Sequence, residues 1–463
     1  MKTYKAHIED FFTSKTKKQV HRSSAIFPLF SNPKMKTRIT FLGYFEIKRN
    51  LKSVVCKLTL REQSGNTIFI DQFSIQKKAY YFELEKWIKD KEFIGSVEVE
   101  FFSKENLLFP FPAVVVCYES CGMLTFVHSA QRTFNDLLDE KTTPNWVQSG
   151  INFRFESTHL PFITLINGPK IASCLVEVDL CGHKIKKEFV FAPYELKVIP
   201  LDRVCQKTQF ARIKASLPSI FTRFIGGNLN TKTNALSITH SYQATVDENE
   251  FVPSSEISFP LFPNKEHTLC IYPIFAKSEF EITFEIFSVN GKRLKTLPKR
   301  TFTKAFDTLL QIPIAPLDTL ALLYCRAKGQ VPERLKVGFD VSEHNLPCNI
   351  CTNFQPFNTY FEHKTHSFKW TPFFPNSSFM ITLTSFSQTP ISIKATCYRT
   401  TDELTTSFSF ELPSFGMKEI RGEQYRDFFK QRPGWITFSA GGAKFNLFYF
   451  SFNSLGVGAD HGF

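Results

Sequence analysis

The stretch from Phe368 to Phe463 constrains this chain more than any other. It opens FKWTPFFPNSSFMITLTSF, continues ISIKATCYRTTDELTTSFSFELPSFGMKEI (Ile391 to Ile420), crosses EQYRDFFKQRPGWITFSAGG and closes FNLFYFSFNSLGVGADHGF. Apolar side chains alternate with polar ones in short runs broken by turn residues, the signature of antiparallel strands with one face in a core. About a hundred residues of this kind make one β-sandwich module.

Three weaker copies precede it. The first opens at Phe27-Pro28 and runs through RITFLGYFEI, VVCKLTL and TIFIDQFSI to AVVVCY. The second reads INFRFES, PFITLIN, CLVEVDL, KEFVFAP and ALSITHSY; its start is announced by the loop Asp139 to Ser149. The third opens at Phe259-Pro260, turns at Asn290-Gly291 and ends at RLKVGFDVSEH. Asn-Gly is the strongest short hairpin signal, because the turn needs positive φ. One short helix per module is expected, as in Phe82 to Phe93 and Gly422 to Trp435. A histidine follows the last strand expected in each copy, at 128, 240, 344 and 461, spacings of 112, 104 and 117.

These landmarks define an all-β chain of four tandem antiparallel sandwich modules: 25–135, 150–245, 255–348 and 366–463, after a basic flexible arm at 1–24 carrying Lys15, Lys17, Lys18, His21 and Arg22. The competing architecture pairs them into two larger jelly rolls. In outline the modules resemble immunoglobulin- and fibronectin-type sandwiches. The resemblance is architectural: the disulfide and tryptophan of true immunoglobulin domains are missing, so it implies no function.

Composition agrees. The 53 phenylalanines favour pleated, half-buried surfaces. With 56 Lys and Arg against 43 Asp and Glu, the net charge of +13 favours anionic partners, though spread over four modules it also serves as ordinary self-repulsion. No signal-peptide core appears in Met1 to Phe30, and no run approaches the roughly 18 apolar residues of a membrane span. The 11 cysteines sit mostly in apolar runs (Cys56, Cys117, Cys174, Cys270, Cys325, Cys397), where a thiol acts as a small hydrophobe. Reduced thiols and a cytoplasmic location are expected.

For chemistry, no nucleophile elbow, P-loop, dinucleotide fingerprint or zincin motif is present. Asp460 beside His461 is the catalytic candidate, a carboxylate that can fix an imidazole tautomer. The recurring His128, His240, His344 and His461 read first as structural locks bonded to backbone. The metal candidate is the third linker, Cys348, Cys351, His363 and His366, whose Cys-x2-Cys spacing suits zinc but whose His-x2-His gap is short for a finger. Cys117 and Cys121 have no partner pair. Otherwise no cofactor is expected. Basic-aromatic runs lie at Lys77 to Tyr81 and Lys295 to Phe306. The reading is a non-enzymatic binding or structural protein engaging an anionic polymer, glycan or protein partner. The alternatives are a self-assembling shell or capsid-type protein and an enzyme with an inter-module site at Asp460 and His461.

Overall fold

A computed structural model describes residues 19–463, leaving out 90–91, 136, 139–146, 156–157, 181–182, 202–208, 216, 245–250, 272–278, 303–309, 333–334, 343–347, 357–365 and 443. The chain is almost entirely strand. Its sheets fall into four units of one topology, in which eight successive strands pair in the orders 1-6-3-4 and 5-2-7-8. Module one shows the plan: Arg22–Ser31, Met35–Leu42, Val54–Glu62, Thr67–Ser74, Ala79–Glu83, Phe93–Ser103, Val114–Ser120 and Met123–Val127. Among the described residues, each four- or five-stranded sheet draws its strands from a single module, where two enlarged jelly rolls would require large sheets shared between modules; only the short pair Arg132–Thr133 with Ile220–Phe221 bridges modules one and two.

The two sheets differ in their sequence period, and the difference explains the assembly. Third strands alternate in modules two to four: in Ala172–Leu180, Ala172, Cys174, Val176, Val178 and Leu180 are buried and the residues between are exposed or partly so. That sheet has one wet face. The seventh and eighth strands do not alternate. Val114, Val115, Val116, Cys117 and Tyr118 are all buried, as is every residue of Met123–Val127. A strand buried on both faces needs a second layer, and the neighbouring module supplies it. Ile225 and Ile238 of module two lie in the core shared by modules one and four. Phe448, Phe450, Val457 and Ala459 of module four lie in the core of module three. Ile26 of module one lies in that of module two.

Polar contacts follow the same head-to-tail rule. Gln131 donates Nε2–H to the Ile166 carbonyl and accepts from the Ile166 N–H, joining modules one and two. Asn152 reaches Asp340 at 3.4 Å and Cys270 at 3.2 Å, joining two and three. Ser258 donates to Thr384 Oγ1 at 2.8 Å, joining three and four. Trp435 donates its indole N–H to Thr40 Oγ1 at 2.7 Å, joining four back to one. The eighth strands meet in the same cyclic order, Met123–Val127 beside Leu236–His240, then Cys348–Asn353, then Gly456–His461, which touches the first. The four modules form a closed ring.

Hairpin turns lock neighbours. Gly65 has φ +95° and Gly291 φ +83°; Cβ atoms there would sit 2.0 Å from the Pro193 carbonyl and 1.9 Å from that of Ser414. Beside them, the Leu196 N–H donates to Gln63 O, and the Met417 N–H to Val289 O, each at 2.9 Å. The turn of one module thus caps the fifth strand of the next.

Three expectations change. Among its described residues Phe82 to Phe93 holds a single 3-10 turn at Leu84–Trp87, while Tyr44–Arg49, whose first four residues fall in the strand-like run RITFLGYFEI, is an α-helix. Its Tyr44 and Phe45 are buried, and Tyr44 stacks on Trp370 of module four, so tertiary packing sets the conformation. Gly422 to Trp435 likewise holds a 3-10 turn, Gly422–Tyr425. Second, Arg22, read as part of the arm, lies buried in the first strand. Its guanidinium meets Glu98 at 3.2 Å and Glu100 at 2.8 Å, and Arg61 meets Glu98 at 2.9 Å. A buried cation is tolerable only when paired in this way. Burial pushes Glu100 up, yet Arg22 and Lys57 more than offset it and hold the carboxyl below its ordinary value. Lys15, Lys17 and Lys18 lie outside the described residues. Third, the last strand of module three is Cys348–Asn353, following Lys336–Ser342. His344 is therefore not its landmark and lies outside the described residues.

Two predictions follow from the interfaces. Gly291→Val forces a side chain into left-handed backbone against Ser414, and should lower stability by about 2 kcal/mol or more in urea unfolding. Burial pushes Asp340 from 3.8 up to about 7, partly offset by Arg154, Asn152 and Cys270. Folded protein then holds this proton where unfolded chain has lost it, so stability falls as pH rises from about 4 through 7. Asp340→Asn should melt higher than the parent at pH 8, with the gap closing by pH 5.

Candidate functional site

The ring brings the recurring histidines to one place. In modules two and three the fifth strands, Leu196–Pro200 and Leu310–Ile314, share an Ile-Pro step at Ile199-Pro200 and Ile312-Pro313. Aligned on it, the row Val198–Thr164–Ile225–His240 corresponds to Gln311–Cys270–Gly338–Cys351. The same row in module four is Glu419–Thr382–Phe448–His461, and in module one His128 stands one step past the Val116–Val127 pair. Around the ring the eighth-strand position therefore reads His128, His240, Cys351, His461. Where three modules carry imidazole, the third carries a buried thiol.

His128, His240, Asp460 and His461 form a cluster in which one ligating atom from each lies within 4.8 Å of the others. The His128 ring centroid is 4.7 Å from that of His240 and 4.3 Å from that of His461, with Phe463 packed on it at 5.5 Å. Each Nδ1 is engaged. In His240 it bonds the Ser241 carbonyl at 3.1 Å and in His461 the Gly462 carbonyl at 2.9 Å. A carbonyl only accepts, so both rings carry Nδ1–H and present an Nε2 lone pair. His128 Nδ1 meets Asp460 Oδ2 at 2.7 Å, while Asp460 Oδ1 accepts the His461 N–H at 2.8 Å. The His240 Nε2 is buried with no hydrogen-bond partner.

The electrostatics keep the imidazoles neutral. Burial pushes His128 down to about 3, with the Arg223 charge adding to it. Burial pushes His461 down to about 4, with Asp460 pulling the other way. His240 lies well below its ordinary value for the same reason, and burial raises Asp460. Neutral imidazole with a free Nε2 is the metal-ligating form, and a carboxylate or carbonyl on the other nitrogen is the usual orienting partner. The cluster can thus act as a hydrogen-bonded lock or as a cation site.

The other sequence candidates fall as follows. Asp460 and His461 lie in the cluster. Cys351 is buried on the ring, its thiol pushed up to about 12 by burial, within reach of the Arg223 and Asp460 charges. His366 is exposed, its Nε2 3.3 Å from Ser439 Oγ. His363 and the side chain of Cys348 lie outside the described residues. Cys117 is buried and Cys121 is exposed. Of the basic runs, Ala79 and Tyr80 are buried, whereas Arg293–Phe302 is a largely exposed strand; the rest of that run, to Phe306, lies outside the described residues. Sequence reasoning missed the convergence of His128 and His240 on Asp460, and missed Arg223. The near-constant histidine spacing carried the signal, since equal modules on a ring place equal positions at its centre.

No protein family matches the chain by sequence, and no curated protein matches it. Among solved structures, a calcium-binding mutant of Bacteroides uniformis β-glucuronidase 2 is similar at 10% identity over 54% of this chain, with a TM-score of 0.15. The chain spans 28% of that protein's length.

Asp460→Ala strands the buried Nδ1–H of His128 and should cost about 2 kcal/mol in denaturant unfolding. Asp460→Asn keeps an acceptor oxygen and should cost visibly less.

Proposed function

We propose that the chain is a non-enzymatic binding protein, a rigid ring that engages an anionic polymer or glycan through the outer edges of modules two and three. The observation carrying this reading is the placement of charge on the open fourth strands. His183–Phe191 reads HKIKKEFVF and Arg293–Phe302 reads RLKTLPKRTF, both largely exposed. Their counterparts in modules one and four, Thr67–Ser74 and Thr405–Leu412, carry no Lys or Arg. Modules two and three are neighbours in the ring, so the two basic edges belong to adjacent units. Some of this charge is neutralised locally: Lys186 pairs with Glu177, Arg293 with Glu285 and Lys299 with Glu281. Lys184, Lys295 and Arg300 add to it. Exposed edges with spaced cations suit sulfates or phosphates along a polymer better than a small substrate. The burial of the histidine cluster also weighs against turnover there.

A second reading, self-assembly into a shell, has one observation in its favour. The open edge of module one exposes Ile68 by 38% and Ile70 by 53%, beside Val55 at 39%. An exposed apolar edge strand is a template for pairing with another copy.

Binding to heparin and to single-stranded nucleic acid, measured across a salt series, tests the first reading. Affinity should fall steeply with salt, and the triple reversal Lys184→Glu, Lys295→Glu, Arg300→Glu should weaken it about tenfold or more. Salt-independent binding, or equal binding by the triple variant, would refute it. Concentration-dependent scattering abolished by Ile70→Lys would favour assembly instead.

A further inference from the structure

We propose that His128, His240, His461 and Asp460 hold one structural zinc ion at the centre of the ring. The four groups come from three modules: one, two and four. Their ligating atoms already lie within 4.8 Å of one another, and a tetrahedral zinc with 2.0–2.1 Å bonds needs donors about 3.4 Å apart. Closure by up to about 1.4 Å is within reach of side-chain rotation. Two of the imidazoles are anchored by Nδ1–H on backbone carbonyls, leaving Nε2 as the ligating atom, while His128 Nδ1 and Asp460 Oδ2, 2.7 Å apart, would exchange their mutual hydrogen bond for two bonds to the ion. A second, independent observation points to a ligand. The His240 Nε2 is buried with no partner, in a residue only 7% exposed, and an acceptor in that state costs free energy unless something occupies the space before it.

Three imidazoles and a carboxylate are borderline-to-hard donors that zinc accepts in tetrahedral sites, and calcium or magnesium, which want six or more oxygens, do not suit them. The Asp460 carboxylate offsets part of the cation's charge where Arg223 adds to it. Bound there, the ion would tie the eighth strands of three modules together at the point where the ring closes. The thiol of Cys351 marks the one module that contributes no ligand to the set. This differs from a linker site built on Cys348, Cys351, His363 and His366, and the two are spectroscopically separable.

The test uses the full chain. Metal content of the purified protein should show roughly one zinc per chain. After removal of the metal with dipicolinate the unfolding midpoint should drop, and zinc should restore it. Cobalt added to the stripped protein should give tetrahedral d–d bands in the visible without thiolate charge transfer in the near ultraviolet, and His240→Ala should abolish them. His240→Gln, checked for native far-ultraviolet dichroism, separates loss of metal from loss of fold: it should stay folded, lack zinc and no longer respond to the chelator. Metal-free purified protein with no tetrahedral cobalt spectrum would overturn the proposal. So would thiolate bands that persist in His240→Ala, which place the ion in the linker.

Discussion

Everything in this structure depends on the seventh and eighth strands of each module's second sheet being largely buried on both faces. A sandwich needs only one buried face per sheet, so the outer face of strands 5-2-7-8 requires a cover that its own module cannot provide. The cover is the first strand and adjoining turn of the preceding module. Such an interface is head-to-tail: the surface that covers differs from the surface that is covered. Repeated contacts of that kind run on into a filament unless the rotation between neighbours closes them. Here closure comes at the fourth module, where Trp435 meets Thr40 and Trp370 stacks on Tyr44. Because all four modules lie on one chain, the ring has fixed membership, and the contacts that join unlike neighbours are free to diverge. They have done so: an amide and a carboxylate at one junction, hydroxyls at the next, an indole at the last.

The sequence shows the modules more readily than the ring. Period-two runs such as Ala172–Leu180 and Ile391–Arg399 mark the outer sheets directly, because one face meets water. The inner strands were visible as strands but not as doubly covered ones: VVVCY and FNLFYF carry no period, and an unbroken apolar run does not say what lies on its second face. Helical signals fared worse. Leu84, Trp87 and Ile88 have helical spacing but make one 3-10 turn, since Phe82 and Trp87 are drawn down against Phe69 and Phe73 by ring packing. Arg22 illustrates a charge misread as solvated, because its two carboxylates lie more than seventy positions away in the chain.

The histidine cluster was half legible for the same reason. A histidine recurring near the end of each module says that one position is special, and nothing about whether the four copies meet. Meeting is a property of the ring, and only the doubly buried inner strands hinted at a ring. The third module is instructive. Its nearest histidine in sequence, His344, falls between the seventh and eighth strands, while the true equivalent is Cys351. Spacing along the chain tolerated an error of one strand; the hydrogen-bonded row did not.

The chemistry at the centre follows from where symmetry puts it. Residues near a ring's axis are crowded by their own counterparts, so apolar side chains there must all be accommodated in one small space, and three large ones would overfill it. Imidazoles relieve the crowding: His240 and His461 each turn Nδ1–H to the carbonyl of the next residue and keep a lone pair on Nε2. One carboxylate, Asp460, supplied by one module only, then breaks the equivalence and orients His128. The His240 Nε2 lone pair is buried there and finds no donor. A divalent cation resolves that conflict with one atom, and it does so only when the ring is closed. Occupancy of the centre and completeness of the ring would then be one equilibrium, in which each stabilises the other.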